Sequence, residues 1–180
     1  MINMIGREKM IIKTKRLFIR EMKAEDWKDM KNIAIDFAQS EYIIYDQPFP
    51  LEDIKVMELT KRFADSHLFF AVFLEDTSDM IGYVCFYNND GNYDLGYCFH
   101  SDYKGNGYAF ESCLEVIKYM EHNHKVKSFT AGTALKNIPS CNLLKKLGFV
   151  LSKTETLAFH KDENGFDIAF EGGHFIRLNK

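Results

Sequence analysis

The segment Lys104-Gly105-Asn106-Gly107-Tyr108-Ala109 points most directly to chemistry. Two glycines stand one residue apart behind a lysine, and an amphipathic helical pattern starts at Tyr108 and runs to about His122. Glycine admits the backbone turns that aim several N–H groups at one point. The first N–H groups of a helix have no carbonyl partner of their own, and that end carries partial positive charge. A turn of this kind is suited to holding an anion such as a phosphate. Two familiar phosphate loops do not fit. A dinucleotide-binding fingerprint requires glycine where the chain has Phe110, and an acidic residue about 20 positions on. The chain there reads Lys125-Val126-Lys127. A P-loop requires Lys and then Ser or Thr after its last glycine, whereas Gly107 is followed by Tyr108.

The elements that must position this loop follow from hydrophobic periodicity and turn signals. Met10 to Glu21 reads as a strand. Trp27, Met30, Ile33, Ala34 and Phe37 mark a helix from Ala24 to about Phe37. An irregular, aromatic-rich segment from Gln39 closes at Pro48 and Pro50. A second helix runs from Leu51 to about Ala64, with Ile54, Met57 or Glu58, and Lys61 as its period. Strands are expected at His67–Glu75 and Met80–Asn88, then a hairpin signal at Asn89-Asp90-Gly91-Asn92 and a strand at Tyr93–His100. After the loop and its helix come a strand at Lys127 to about Thr133 and a helix from Ile138 to Leu147 that stops at Gly148. Phe149–His160 and Phe166–Leu178 form a last hairpin around Asp162-Glu163-Asn164-Gly165. The pattern alone implies an α+β class with a mixed sheet. No repeat or linker divides the 180 residues, so a single domain over 1–180 is expected.

Three blocks resemble one family. Lys104 to Ala109 is similar to the pyrophosphate-binding signature (Gln or Arg)-x-x-Gly-x-(Gly or Ala) of the Gcn5-related N-acetyltransferases (GNAT). Asn137-Ile138-Pro139-Ser140 through Lys146-Leu147-Gly148-Phe149 resembles the segment that follows the family's fifth strand. Lys13-Thr14-Lys15-Arg16-Leu17-Phe18-Ile19-Arg20 resembles the first strand of the branch that includes ribosomal-protein N-terminal acetyltransferases. The resemblance implies a twisted mixed sheet of about seven strands flanked by about four helices. It also implies a splay between the fourth and fifth strands, those ending near His100 and starting near Lys127. Backbone groups left unpaired there need partners, and the pantetheine arm of acetyl-CoA would supply them like an added strand.

By resemblance, the cofactor side comprises Lys104, Gly105, Asn106, Gly107, Tyr108 and Ala109 for the pyrophosphate, and the backbone groups of Phe99 and Ser101 for pantetheine and the thioester carbonyl. Asn137 would contact pantetheine, and it also suits a helix N-cap. Lys145 or Lys146 would reach the 3′-phosphate, or simply be solvated. Asp94 stands where the branch often has Glu and is the general-base candidate, acting through a water; a carboxylate bonded to the preceding Asn-Gly turn is the alternative. Alternation puts Asp94, Gly96, Cys98 and His100 on one strand face. An imidazole such as that of His100 can in general act as a proton-transfer group, although a strand-end histidine is commonly structural. Many family members place a tyrosine four residues after the serine to protonate the leaving thiolate; here that residue is Leu144. Ser140 or Cys141 is the substitute donor, with a helix cap and a packed thiol as their alternatives. Tyr42, Tyr45 and Phe49 fall in the segment that lines the acceptor side in the family.

The implied activity is acetyl-CoA-dependent N-acetylation of a primary amine, a protein N-terminus or a small molecule, by direct attack. The alternative is a non-catalytic acyl-CoA-binding or regulatory module, a reading that Leu144 keeps open. Composition is compatible with both. Hydrophobic residues make up 46% and charged residues 27%, which excludes a disordered chain. A net charge of −3 gives no basic footprint for direct nucleic-acid binding. No apolar stretch suits a signal peptide or a membrane span. Cys85, Cys98, Cys113 and Cys141 are widely separated, as expected of reduced thiols in a cytoplasmic protein. His122 and His124 have no partner at metal-binding spacing, so no metal is expected. A monomer or homodimer is expected.

Overall fold

A computed structural model describes residues 10–178; the start of the segment read as lacking a signal peptide lies outside them. The strands are β1 (Ile11–Lys13), β2 (Leu17–Glu21), β3 (Phe69–Leu74), β4 (Met80–Asn89), β5 (Asn92–Phe99), β6 (Ser128–Ala134), β7 (Val150–Lys161) and β8 (Asp167–Leu178). The helices are α1 (Trp27–Ala38), α2 (Asp53–Ser66), α3 (Tyr108–Asn123) and α4 (Ile138–Lys146). One mixed sheet runs in the order β1-β2-β3-β4-β5-β6-β8-β7. All neighbours pair antiparallel except β5 and β6.

Both faces of the central strands are covered, which explains why β3 reads as an unbroken apolar run, Phe69-Phe70-Ala71-Val72-Phe73. Phe70 and Val72 join one core with Cys113, Val116, Ile117 and Met120 of α3 and Leu144 of α4. Phe69, Ala71 and Phe73 join the opposite core with Met30 and Ile33 of α1 and Val56 of α2. The period of two along the strand therefore divides the residues between the two helical layers.

Two expectations are corrected. The strand expected over Met10–Glu21 is two strands, so the sheet has eight rather than about seven among the described residues. The Thr14 hydroxyl accepts from the Leu17 N–H (2.9 Å), and the Thr14 N–H donates to the Leu17 carbonyl (2.9 Å). This turn folds β1 back on β2. The buried face of α2 is also not the one its period suggested. Ile54 is 73% exposed, while Val56 and Thr60 are buried and Phe63 packs beside them. Thr60 is tolerated inside because its hydroxyl donates to the Val56 carbonyl (2.8 Å). The helix stop at Gly148 holds: its φ is +87°, its N–H bonds to Lys145 and that of Phe149 to Leu144. Those paired bonds close α4 and drive Phe149 into the core.

Candidate active site

The sheet forks at Asp94. Strand β5 keeps β4 as its partner as far as Phe99, opposite Gly82. On its other edge it pairs with β6 only at Tyr93–Phe129 and Asp94–Thr130. Strand β6 then continues with β8 as far as Ala134–Gly172. Past Asp94 the facing edges of β5 and β6 therefore have no strand between them among the described residues, which is the expected splay. The Thr130 hydroxyl donates to Asp94 Oδ1 (2.6 Å). That bond holds the carboxylate at the mouth of the gap and leaves lone pairs for a water or an amine.

The loop lies beyond the open end of β5. Gly105 and Gly107 have φ of +80° and +79°, as their identity requires. From Gly105 to Phe110 no backbone N–H has a hydrogen-bond acceptor among the described residues. The first intrahelical bond at this end runs from the Glu111 N–H to the Gly107 carbonyl (3.1 Å). A Cβ built at Gly105 would meet no other described residue within 4 Å, its chain neighbours aside. A run of unpaired N–H groups at the start of a 16-residue helix fits the oxygens of a pyrophosphate.

The β1–β2 turn braces this loop from outside. Arg16 Nε and Nη2 bond to Glu111 Oε2 (2.9 and 2.5 Å), and Nη1 bonds to the Asn106 carbonyl (3.0 Å). The guanidinium also lies 4.7 Å from the centre of the Tyr108 ring. The Thr14 hydroxyl donates to the other Glu111 oxygen (2.5 Å). Burial raises the Glu111 pKa, but the bonds from Thr14 and Arg16 outweigh it, so the net shift is downward.

On the far side of the gap, the Asn137 side-chain oxygen Oδ1 accepts from the Ser140 N–H (3.2 Å), the expected cap of α4. Ser140 Oγ lies 2.8 Å from the Tyr97 hydroxyl of β5. Leu144 is 1% exposed and belongs to the core. Cys141 is buried, with its Sγ against the Ala134 and Leu135 carbonyls (3.7 and 3.8 Å). Its thiol is thus turned into the end of β6 rather than offered as a donor.

Other expected site residues are placed as follows. Phe99 ends β5 and packs its ring over Gly82, where a Cβ would come within 2.4 Å. Ser101 gives its N–H and its hydroxyl to the Asp36 carboxylate (2.9 and 2.5 Å), tying the loop approach to α1. His100 Nδ1 accepts from the Asp102 N–H (3.3 Å) and caps the short turn Ser101–Tyr103. Lys146 lines a surface cavity with Lys118, Glu121, His122 and Arg177. Lys118 is ten residues along α3 from Tyr108, roughly 15 Å at the rise of an α-helix. That cavity therefore lies beside the C-terminal half of α3. Tyr45 packs edge-on against Phe170 (5.1 Å), Phe49 packs against Phe37 (6.1 Å), and His160 Nε2 donates to the Asp46 carbonyl (2.8 Å). The irregular segment is thereby fastened to both α1 and the β7–β8 hairpin.

Arg16, Glu111, Thr130, Tyr97 and Asp36 were not singled out in the sequence. Thr14 and Arg16 did lie inside a recognisable block, but a distance of 95 residues separates Arg16 from Glu111. Nothing local signals that contact.

The chain matches the "Acetyltransferase (GNAT) domain" family over residues 16–150. It is 33% identical over 141 residues to the uncharacterized N-acetyltransferase YnaD of Bacillus subtilis, covering 77% of this chain and 82% of that protein. Among solved structures, the ribosomal-protein-S5-alanine acetyltransferase of Vibrio fischeri superposes with a TM-score of 0.80 at 15% identity, covering 95% of this chain and 97% of that one. RimL, the ribosomal L7/L12 alpha-N-protein acetyltransferase, solved with coenzyme A, gives 0.78 at 13% identity, covering 94% and 98%. Family match, relative and fold agree: the chain belongs to the GNAT family and is an acetyltransferase.

Proposed function

We propose that this acetyltransferase moves the acetyl group of acetyl-CoA to a primary amine by direct attack, within a single domain working in the cytoplasm. The observation that carries this reading is the fork itself. The sheet opens at a carboxylate, Asp94, and the opening leads to the unpaired N–H groups of Gly105 to Phe110. Acetyl-CoA supplies an activated acyl group and a thiol leaving group.

The chain's own residues divide the remaining work. Gly105, Asn106, Gly107, Tyr108 and Ala109 hold the pyrophosphate through main-chain N–H groups, with Lys104 adding positive charge. Phe99 and Asn137 border the pantetheine path. Asp94, fixed by Thr130, takes the amine proton, through a water since its side chain is short. Ser140 donates to the departing sulfur. No enzyme-bound intermediate is needed, because holding the two reactants together supplies much of the rate. The acceptor is a protein N-terminus or a small amine.

Calorimetry with acetyl-CoA, followed by thiol release in the presence of an amine and peptide panel, tests this function. Binding with amine-dependent release is expected. Binding without release from any acceptor supports the non-catalytic module, for which the buried Leu144 is the structural argument. Asp94→Asn is expected to lower turnover by roughly 10²-fold or more, with acetyl-CoA affinity kept. Wild-type turnover in that variant would remove Asp94 as the base.

A further inference from the structure

Tyr97 links β5 to α4 across the part of the sheet where β5 and β6 no longer pair. It lies three residues past Asp94, on the face covered by α3 and α4. Its hydroxyl is 2.8 Å from Ser140 Oγ and 3.5 Å from the Ser140 carbonyl oxygen. Among the described residues it is the only hydrogen-bond partner of Ser140 Oγ. A helical serine commonly returns its hydrogen to the carbonyl four residues back. For Ser140 that carbonyl belongs to Lys136, which accepts instead from the Ile138 N–H (3.0 Å).

We propose that Tyr97 is a positioning residue for acyl transfer: its phenol donates to Ser140 Oγ and so turns the Ser140 hydrogen toward the gap where the sulfur of acetyl-CoA departs. This rests on the acetyl-transfer reading above. Of the two hydroxyls, the phenol is the stronger acid and hence the better donor. Burial raises the Tyr97 pKa, and the bond to Ser140 lowers it only in part, so the phenol keeps its proton throughout the physiological range. Helix α4 carries no hydroxyl at position 144; the strand supplies one instead, at the first turn of the same helix.

The amine nitrogen forms the bond to the acyl carbon and gives its proton through a water to Asp94, which passes it on to solvent. The C–S bond breaks with its electron pair going to sulfur. The Ser140 hydrogen bond stabilises the charge growing there, while Tyr97 holds the serine oxygen in place. The thiolate finally takes up one proton from water, matching the one the amine released.

The test compares wild type, Tyr97→Phe, Ser140→Ala and the double variant. Thiol release from saturating acetyl-CoA is followed with an equimolar mixture of spermidine, tyramine and a seryl tripeptide as acceptors, and acetyl-CoA affinity is measured by calorimetry. Tyr97→Phe is expected to lose roughly fivefold in turnover, the value of one neutral hydrogen bond, and Ser140→Ala roughly 10²-fold. Affinity should stay within about twofold in each, as expected when only transition-state contacts are lost. The double variant should be no slower than Ser140→Ala, because Tyr97 acts only through Ser140. Undiminished turnover in Tyr97→Phe would overturn the inference while leaving the acetyltransferase intact. Multiplying losses in the double variant, or a loss confined to affinity, would overturn it too. No thiol release by wild type would remove the acetyl-transfer reading and this inference with it.

Discussion

Arg16 offers the sharpest test of how the loop is built. Replacing it with Met keeps much of the side-chain volume but removes three kinds of contact. Its ion pair with Glu111 is partly solvated, with side-chain exposures of 43% and 21%, so about 0.5–1 kcal/mol is a fair value after screening. The bond to the Asn106 carbonyl contributes about 1 kcal/mol, and the guanidinium over Tyr108 about 0.5–1 kcal/mol. These contacts share one side chain and are not additive, so a total near 2 kcal/mol is expected. They restrain Asn106 and Tyr108, whose N–H groups belong to the proposed anion site, so much of the loss should appear in binding. We expect acetyl-CoA affinity to fall by roughly tenfold, or about 1.4 kcal/mol. Calorimetry with acetyl-CoA and with dephospho-CoA should show the same ratio between variant and wild type, because the brace acts on the pyrophosphate loop and not on the 3′-phosphate. Arg16→Lys, which keeps the charge but not the planar fork, should recover only a minor part. Unchanged affinity with a lowered melting temperature would refute the reasoning and leave Arg16 a purely structural strut.

Gly107→Val forces a β-branched residue to φ near +79° and should abolish measurable acetyl-CoA binding; among the described residues, chain neighbours aside, the new Cβ would meet Arg16 Nη2 at 3.8 Å and no nearer atom, so the fold should persist by circular dichroism. The Glu111 pKa is lower in the folded chain, so its contribution to stability is present above the unfolded value near 4.5 and is lost as pH falls through the folded one. Urea titrations below pH 5 should therefore show a shallower fall in stability for Glu111→Gln than for wild type. Burial raises the thiol pKa of Cys85 and Cys113 strongly and pushes that of Cys98 up to about 12; maleimide at pH 7 should modify none of the three in native protein and all of them in guanidinium.

Local pattern carried much of the fold because the deciding physics was local. Gly105 and Gly107 occupy backbone space that other residues avoid, Asn137 caps the helix it precedes, and Gly148 ends it. Each of those elements was legible from a few neighbouring residues. The errors arose where tertiary contact overrode periodicity. Helix α2 has a weak apolar stripe, and which face was buried depended on the sheet beneath it, so Val56 and Thr60 went inside and Ile54 outside. The break at Thr14 interrupts a stretch that is otherwise uniformly strand-like.

The site divides along the same line. The sequence by itself determined the glycine turn and its helix, because residue type and short spacing set them, while Asp94 stood out only through resemblance to the family. Only the tertiary structure decided that Asp94 marks the fork, that Thr130 holds it and that Arg16 reaches Glu111. It also placed Lys146 beside the C-terminal half of α3, committed Ser101 to Asp36 and brought Tyr97 to Ser140. Those relations join residues from 36 to 95 positions apart. They exist only after the sheet has set its register, and a register depends on every strand at once.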